Sequence, residues 1–294
     1  MELNGVEIED TFAEAFSLNM ARVVITAVNK NWALVAAKEA TGFGTSVIGC
    51  PAEAGVECIV PSEKTPDGRP GVSMLICHPK KDGVKDQLLG RLGQCVLPAP
   101  TTASFNGLET EEKLSIKLQF FGDGYQYETE VGGRKVWGIP MMEGDFIFEE
   151  DYGVQKGVAG GNFFILAKNQ IAALAAAENA VEAIYDVEGT ITPFPGGIVA
   201  SGSKVGSQYK FLMASANEKY CPTLKDKVEG TSIPKEVESV YEIVINGLDE
   251  ESVKQATKVG IEASVKIPGV VKITAGNYGG DLGQYKINLH EILG

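Results

Sequence analysis

The run Tyr241-Glu242-Ile243-Val244-Ile245 places one carboxyl group inside an otherwise apolar, strand-like segment. Burying an ionised carboxylate costs several kcal/mol or more unless it is paired, so such a residue needs a reason. One reading sets Glu242 on an open face, pointing to water. The other sets it in a cleft that favours the protonated form, where it can give or take a proton near neutral pH. Aligned with an earlier run, Ser73-Met74-Leu75-Ile76-Cys77-His78, the segment has Glu242 where the earlier copy has Met74.

Three glycine-rich segments can supply binding loops around such a group. They are Gly157-Val158-Ala159-Gly160-Gly161-Asn162, residues 193–204 (PFPGGIVASGSK), and Thr274-Ala275-Gly276-Asn277-Tyr278-Gly279-Gly280. Glycine admits positive φ and close backbone approach to a ligand. Asn162 and Phe163, then Pro195, Ser201, Ser203 and Lys204, then Asn277 and Tyr278, are the candidate substrate-binding residues of these segments. Asn162, Ser201, Ser203 and glycine N–H groups are candidate donors to an oxyanion. Ser201, Ser203 and Lys204 are also candidates to anchor an anionic substrate group. The second segment is no nucleotide phosphate loop, because Ser203 separates Gly202 from Lys204. A dinucleotide G-x-G-x-x-G between strand and helix is also missing.

Other chemistries are poorly supported. Five cysteines (Cys50, Cys58, Cys77, Cys95, Cys221) form no C-x-x-C pair, and the only histidines are His78 and His290. Free, mostly buried thiols are expected and no metal site. Cys77 and His78 are neighbours on a strand and point to opposite faces, which argues against a Cys-His nucleophile. The net charge of −13 opposes nucleic-acid binding, the basic clusters being as short as Lys80-Lys81 and Arg134-Lys135. The 44% hydrophobic and 22% charged content is globular. No apolar run is long enough for a membrane helix, and the N-terminus has no signal-peptide pattern, so a cytoplasmic protein is expected.

The elements that position these residues come from an internal repeat. At a constant offset of 140, Ile25, Ala27, Asn29, Ala33, Leu34, Ala36, Ala37 and Ala40 recur as Ile165, Ala167, Asn169, Ala173, Leu174, Ala176, Ala177 and Ala180. Each copy reads as strand, helix, strand, with Asn29 and Asn169 as helix N-caps. The second strands are predicted at 45–50, before Pro51, and at 189–192, before Pro193. A further strand-helix-strand follows in each half, at 72–77, 84–92 and 94–97 and at 240–245, 250–264 and 270–274, with Asp249 capping the last helix. The pattern β-α-β-β-α-β predicts an α+β protein of two ferredoxin-like lobes from an internal duplication. The lobes are expected at 1–145, with an added hairpin at about 106–145, and at 146–294. The hairpin region shows alternation at Leu114, Ile116, Leu118 and Phe120, a turn at Gly122-Asp123-Gly124 and a strand at Phe146-Ile147-Phe148. An extra strand is predicted at 209–214.

Over its full length the chain resembles the formylmethanofuran:tetrahydromethanopterin formyltransferases. The stretches that carry the resemblance are 4–16 (NGVEIEDTFAEAF), 40–44 (ATGFG), 50–55 (CPAEAG), 64–71 (KTPDGRPG), 120–125 (FFGDGY) and the three glycine-rich segments. The resemblance implies transfer of a formyl group from formylmethanofuran to tetrahydromethanopterin, or its relative tetrahydrosarcinapterin, in methanogenic one-carbon metabolism. Both coenzymes are then substrates, and no metal or prosthetic group takes part. It further implies a homo-oligomer built from dimers, with the active cleft at a subunit interface and Glu242 at the reacting centre. The alternatives are a formyl hydrolase releasing formate and a non-catalytic ferredoxin-like interaction protein.

Overall fold

The structure, a computed structural model, describes residues 1–294. The chain divides into two compact units, 18–157 and, separately, 1–17 with 158–294.

Unit 18–157 contains a ferredoxin-like core. Its elements are β1 (Phe12–Thr26, of which 18–26 lie in this unit), α1 (Lys30–Thr41), β2 (Glu53–Val60), β3 (Gly71–His78), α2 (Lys81–Arg91) and β4 (Ala103–Asn106). The sheet order β4-β1-β3-β2 is antiparallel throughout. Val23 and Ile25 of β1 alternate onto the helix-covered face, where they meet Ala33, Ala36, Ala37 and Ala40 of α1. That alanine stripe follows the 3.6-residue period, and its small side chains let helix and sheet approach closely. A meander then extends this sheet through Gly144–Phe148, Arg134–Met141 and Tyr127–Val131.

The second unit repeats the plan with β5 (Gln155–Ala167), α3 (Gln170–Tyr185), β6 (Thr190–Ile191), β7 (Ser239–Gly247), α4 (Glu250–Ser264) and β8 (Val270–Thr274). Its order is β6-β7-β5-β8, again antiparallel and again with the first strand in the middle. Val6–Ile8 joins the β8 edge in parallel, and Tyr285–Asn288 pairs with the start of β1. Phe163, Ile165, Ile243, Ile245 and Ile273 face α3 and α4 in one core. A long excursion, 192–238, interrupts the core between β6 and β7.

The caps behave as the sequence predicts. Asn29 Oδ1 accepts from the Trp32 N–H at 3.1 Å, Asn169 Oδ1 from Ala172 at 2.9 Å, and Asp249 Oδ1 from Ser252 at 2.7 Å. Asn29→Ala and Asn169→Ala are each expected to cost about 1 kcal/mol, read as a lowered denaturant midpoint at unchanged slope. A loss at only one of the two would mean that the repeated caps are not equivalent.

Several expected elements fall elsewhere. Residues 45–50 form turns, and the second strand begins at Glu53, after Pro51 has removed a backbone donor. Residues 94–97 continue α2 as a π-helical turn, Leu92–Val96, and the last strand of the ferredoxin-like core of that lobe is β4. The alternation at 114–120 yields only the strand Lys113–Ser115, followed by the 3-10 turn Leu118–Gly122. In place of a strand at 209–214 there is the pair Lys204–Val205 with Ala214–Ser215. The compact units divide at 157, and residues 1–17 group with the later unit. The sequence repeat begins only at Val23, so it carried no signal for where the preceding residues pack.

Candidate active site

Glu242 lies in the middle of β7, with strand on both sides. It stands opposite Phe164 of β5. On its other edge its backbone exchanges two hydrogen bonds with Val199, 2.8 Å and 3.0 Å. Side chains alternate along a strand, so Ile243 and Phe163 enter the helix-facing core while Glu242 and Phe164 point to the opposite face. Part of the 192–238 excursion covers that face. Ile233 and Val237 pack on Phe164 and Leu166, and the Tyr220 ring stacks on Phe164 at 4.5 Å. Glu242 is half-buried beside this small apolar cluster. Burial alone pushes its carboxyl up to about 7, which leaves the neutral acid well populated near neutral pH.

The loop after β8 forms another wall. Tyr278 is 39% exposed, and its hydroxyl makes no hydrogen bond within the chain. Burial, then the nearby carboxylates of Glu242 and Glu14, push that hydroxyl upwards, so it remains a neutral donor. The loop is stapled to β5 by Asn162, whose Oδ1 accepts from the Gly276 N–H at 2.6 Å. The Asn162 Nδ2 donates to the carbonyls of Gly276 and Gly160. Gly276 packs closely here: a Cβ there would lie 3.1 Å from Asn162 Oδ1 and 3.2 Å from the Phe164 ring, tight enough that one of them would have to shift slightly. Asn277 donates to Thr11 Oγ1 and to the Phe12 carbonyl and accepts from the Gly279 N–H.

These contacts sort the candidate residues. The Tyr278 hydroxyl lies near enough to the Glu242 carboxyl to be raised by its charge. Asn162 and Asn277 spend their amides on the loop, so they shape the wall and are not free oxyanion donors. Phe163 is fully buried against Gly260 of α4, where a Cβ would meet its ring at 3.0 Å; it belongs to the core, and Phe164 takes the cleft side. Pro195 is exposed in the 3-10 turn Pro195–Gly197, with Gly196 and Gly197 at positive φ. Ser201 and Ser203 are exposed. Lys204 Nζ is paired with the Glu218 carboxylate, so binding an anion there requires it to change partner.

Glu242 and Met74 are not register equivalents. Glu242 faces Phe164, and at the repeat offset Phe164 corresponds to Val24, which faces Ser73. The true counterpart is therefore Ser73, one residue earlier. In the first lobe the Ser73 hydroxyl donates to Glu57 Oε2 at 2.6 Å, and Glu57 is ion-paired with Arg22. Arg22 holds the register that Asn162 holds in the second lobe. The first lobe thus closes the matching position with a buried ion pair, while the second leaves its acid uncompensated.

Comparison with known proteins is decisive about the family. Residues 1–141 match the formylmethanofuran-tetrahydromethanopterin formyltransferase family, and residues 144–292 match its proximal lobe. The chain belongs to this family. The formyltransferase of Archaeoglobus fulgidus is 65% identical over 296 residues, spanning 99% of this chain and 100% of the relative. That of Methanopyrus kandleri is 61% identical, with the same coverage. The solved formyltransferase of Methanosarcina barkeri superposes with a TM-score of 0.97 at 62% identity, covering 99% of this chain and 100% of that one. A formyltransferase/hydrolase complex from Methylorubrum extorquens, solved with methylofuran, contains a chain at TM-score 0.95 and 43% identity, covering 100% and 99%. The likeness to the Methanosarcina barkeri structure extends the two-lobed α+β fold to the whole chain. The relatives at 60–65% identity carry the transferase name, which favours the formyltransferase over a formyl hydrolase or a non-catalytic module.

Proposed function

We propose that this formyltransferase moves the formyl group from formylmethanofuran to N5 of tetrahydromethanopterin by direct attack in a ternary complex, with Glu242 as the acid-base group. The observation that carries the reading is a half-buried carboxyl in mid-sheet, raised to about 7, beside a tyrosine hydroxyl with no partner. The amine attacks the formyl carbon, the carbonyl oxygen becomes an oxyanion, and the amine gives up a proton. Neutral Glu242 hydrogen-bonds the oxyanion, gives its proton to the methanofuran nitrogen as that carbon–nitrogen bond breaks, and regains one from the attacking amine. Tyr278 shares the donation to the oxyanion in this reading. Alignment of two large coenzymes supplies the remainder, up to roughly 7–11 kcal/mol in well-ordered reactions.

In this reading Pro195, Ser201 and Ser203 line the substrate path, and Lys204 meets an anionic group once it leaves Glu218. The molecule acts as a homo-oligomer, dimers pairing further into a tetramer. Support comes from exposed apolar side chains on two loops, Phe120, Phe121 and Tyr125 on one and Tyr209, Phe211 and Met213 on the other. A cytoplasmic setting accords with five cysteines that form no disulfide. Substrate and pterin variant are tested in a transfer assay with both coenzymes varied together. Intersecting, sequential kinetics are expected. Parallel ping-pong lines with a trapped formyl-enzyme would contradict direct attack, and formate release without pterin would contradict transfer.

A further inference from the structure

The 278–283 loop folds around a carboxylate that belongs to the protein itself. Glu14, on β1, is only 1% exposed. Its Oε2 accepts from the N–H groups of Tyr278 at 2.6 Å and Gly280 at 3.0 Å, and its Oε1 from Leu282 at 2.6 Å and Gly283 at 2.5 Å. Gly279 and Gly280 have φ of 77° and 82°, the left-handed conformation that lets successive N–H groups converge on one anion. Gly283 has no room for a side chain, since a Cβ would lie 2.6 Å from Glu14 Cγ and 2.6 Å from the Ala15 carbonyl. Burial pushes the Glu14 carboxyl up, and the backbone donors of Gly283, Tyr278, Leu282 and Gly280 together outweigh it and hold it below the usual range. The anion-binding capacity of this glycine-rich loop is therefore already taken by Glu14 and is not available to substrate.

The Tyr278 ring itself has little to hold it. Its hydroxyl is unpartnered, and its ring contact is a tilted one with Phe16 at 6.4 Å between centroids. Its place is set through its backbone. Asn162 and Asn277 fix the stem of the loop, and Glu14 fixes the tyrosine N–H and the return of the chain.

We infer that Glu14 is a positioning residue of the transfer reaction, its buried carboxylate gathering the 278–283 backbone so that Tyr278 stays beside Glu242. The inference rests on the proposed site, and it adds a residue that makes no substrate contact. Glutamine at position 14 would keep the shape but present an NH2 to backbone donors, leaving two of the four N–H groups unsatisfied.

The test is a double-mutant cycle read in kcat and KM, using the full chain. Glu14→Gln is expected to lower kcat/KM about tenfold or more, since small misplacements of aligned groups have effects up to about 10²-fold. Tyr278→Ala lowers it too, and adding Glu14→Gln to Tyr278→Ala costs little further, because one acts through the other. Amide hydrogen exchange at 278–283 should quicken in Glu14→Gln while the β5 and β7 amides stay protected. Glu14→Asp, which keeps the charge on a shorter arm, should recover part of the rate and of the protection, and it also serves if the glutamine variant folds poorly. Multiplicative losses in the double variant, or unchanged loop exchange with wild-type kinetics, would overturn the inference. A Glu242→Gln variant at full rate would instead overturn the acid-base reading, whatever the cycle shows.

Discussion

Replacing Glu242 with glutamine is expected to slow formyl transfer by about 10²- to 10⁴-fold, the span over which a positioned acid-base group contributes. Coenzyme binding should change little, so the loss appears in kcat. Glutamine retains an N–H donor of nearly the same shape, but it cannot pass a proton on. The strand itself is not at risk, because Glu242 is held there by backbone pairing with Phe164 and Val199 and not by its side chain. The pH dependence follows from the same burial. With the carboxyl raised to about 7, the neutral acid dominates below that value and transfer should fall as pH rises through it. An ionised Glu242 would repel the developing oxyanion. Stability carries the matching sign. A carboxyl whose folded value lies above its unfolded value binds a proton longer in the native state, so its contribution is complete at low pH and is lost as pH climbs through about 7. Glu242→Gln should abolish that decline, seen by urea titration at several pH values.

The second large effect concerns stability and not catalysis. Phe163→Ala is expected to cost about 3–5 kcal/mol, because the ring is fully buried and its removal leaves a cavity under α4. At temperatures where the variant remains folded, KM for both coenzymes should stay near wild type. Phe164 is the contrasting neighbour. It lies on the cleft face with Glu242 and stacks on Tyr220, so its truncation should disturb substrate handling as well as the local cluster. Folding free energies and KM values for both variants separate the two roles. Raised KM with unchanged stability in Phe163→Ala would mean that the ring faces substrate after all.

These two neighbours show how far the sequence could be read. The period-two alternation and the change of period at Asn29 and Asn169 made the strands and capped helices legible, because each is set by local chemistry. The acid at position 242 was legible because a carboxyl in an apolar strand is costly. Which side of the sheet each residue of Phe163-Phe164 takes was not legible, since both are apolar and a single-residue change of register exchanges the faces. The same one-residue ambiguity paired Met74 with Glu242, where the strand ladder pairs Ser73. Glu14 was the least visible. It stands in a segment of mixed polarity, and its four donors come from more than 260 positions away. Its signal was present only as the glycine pattern at 279–283, which reads equally well as a substrate loop. Lys204 was legible as a cation, but its partner Glu218 depends on how the 192–238 excursion folds back.

The central claim is that one acid in the second lobe stays protonated near neutrality because its partial burial in the sheet face disfavours the charged form. The direct measurement is an infrared titration of its carboxyl stretch, taken as the difference between wild-type protein and Glu242→Gln. A protonated carboxyl band present in wild type only, disappearing near pH 7, is the result predicted. A band already lost in the ordinary glutamate range would show a solvated carboxylate and contradict the account.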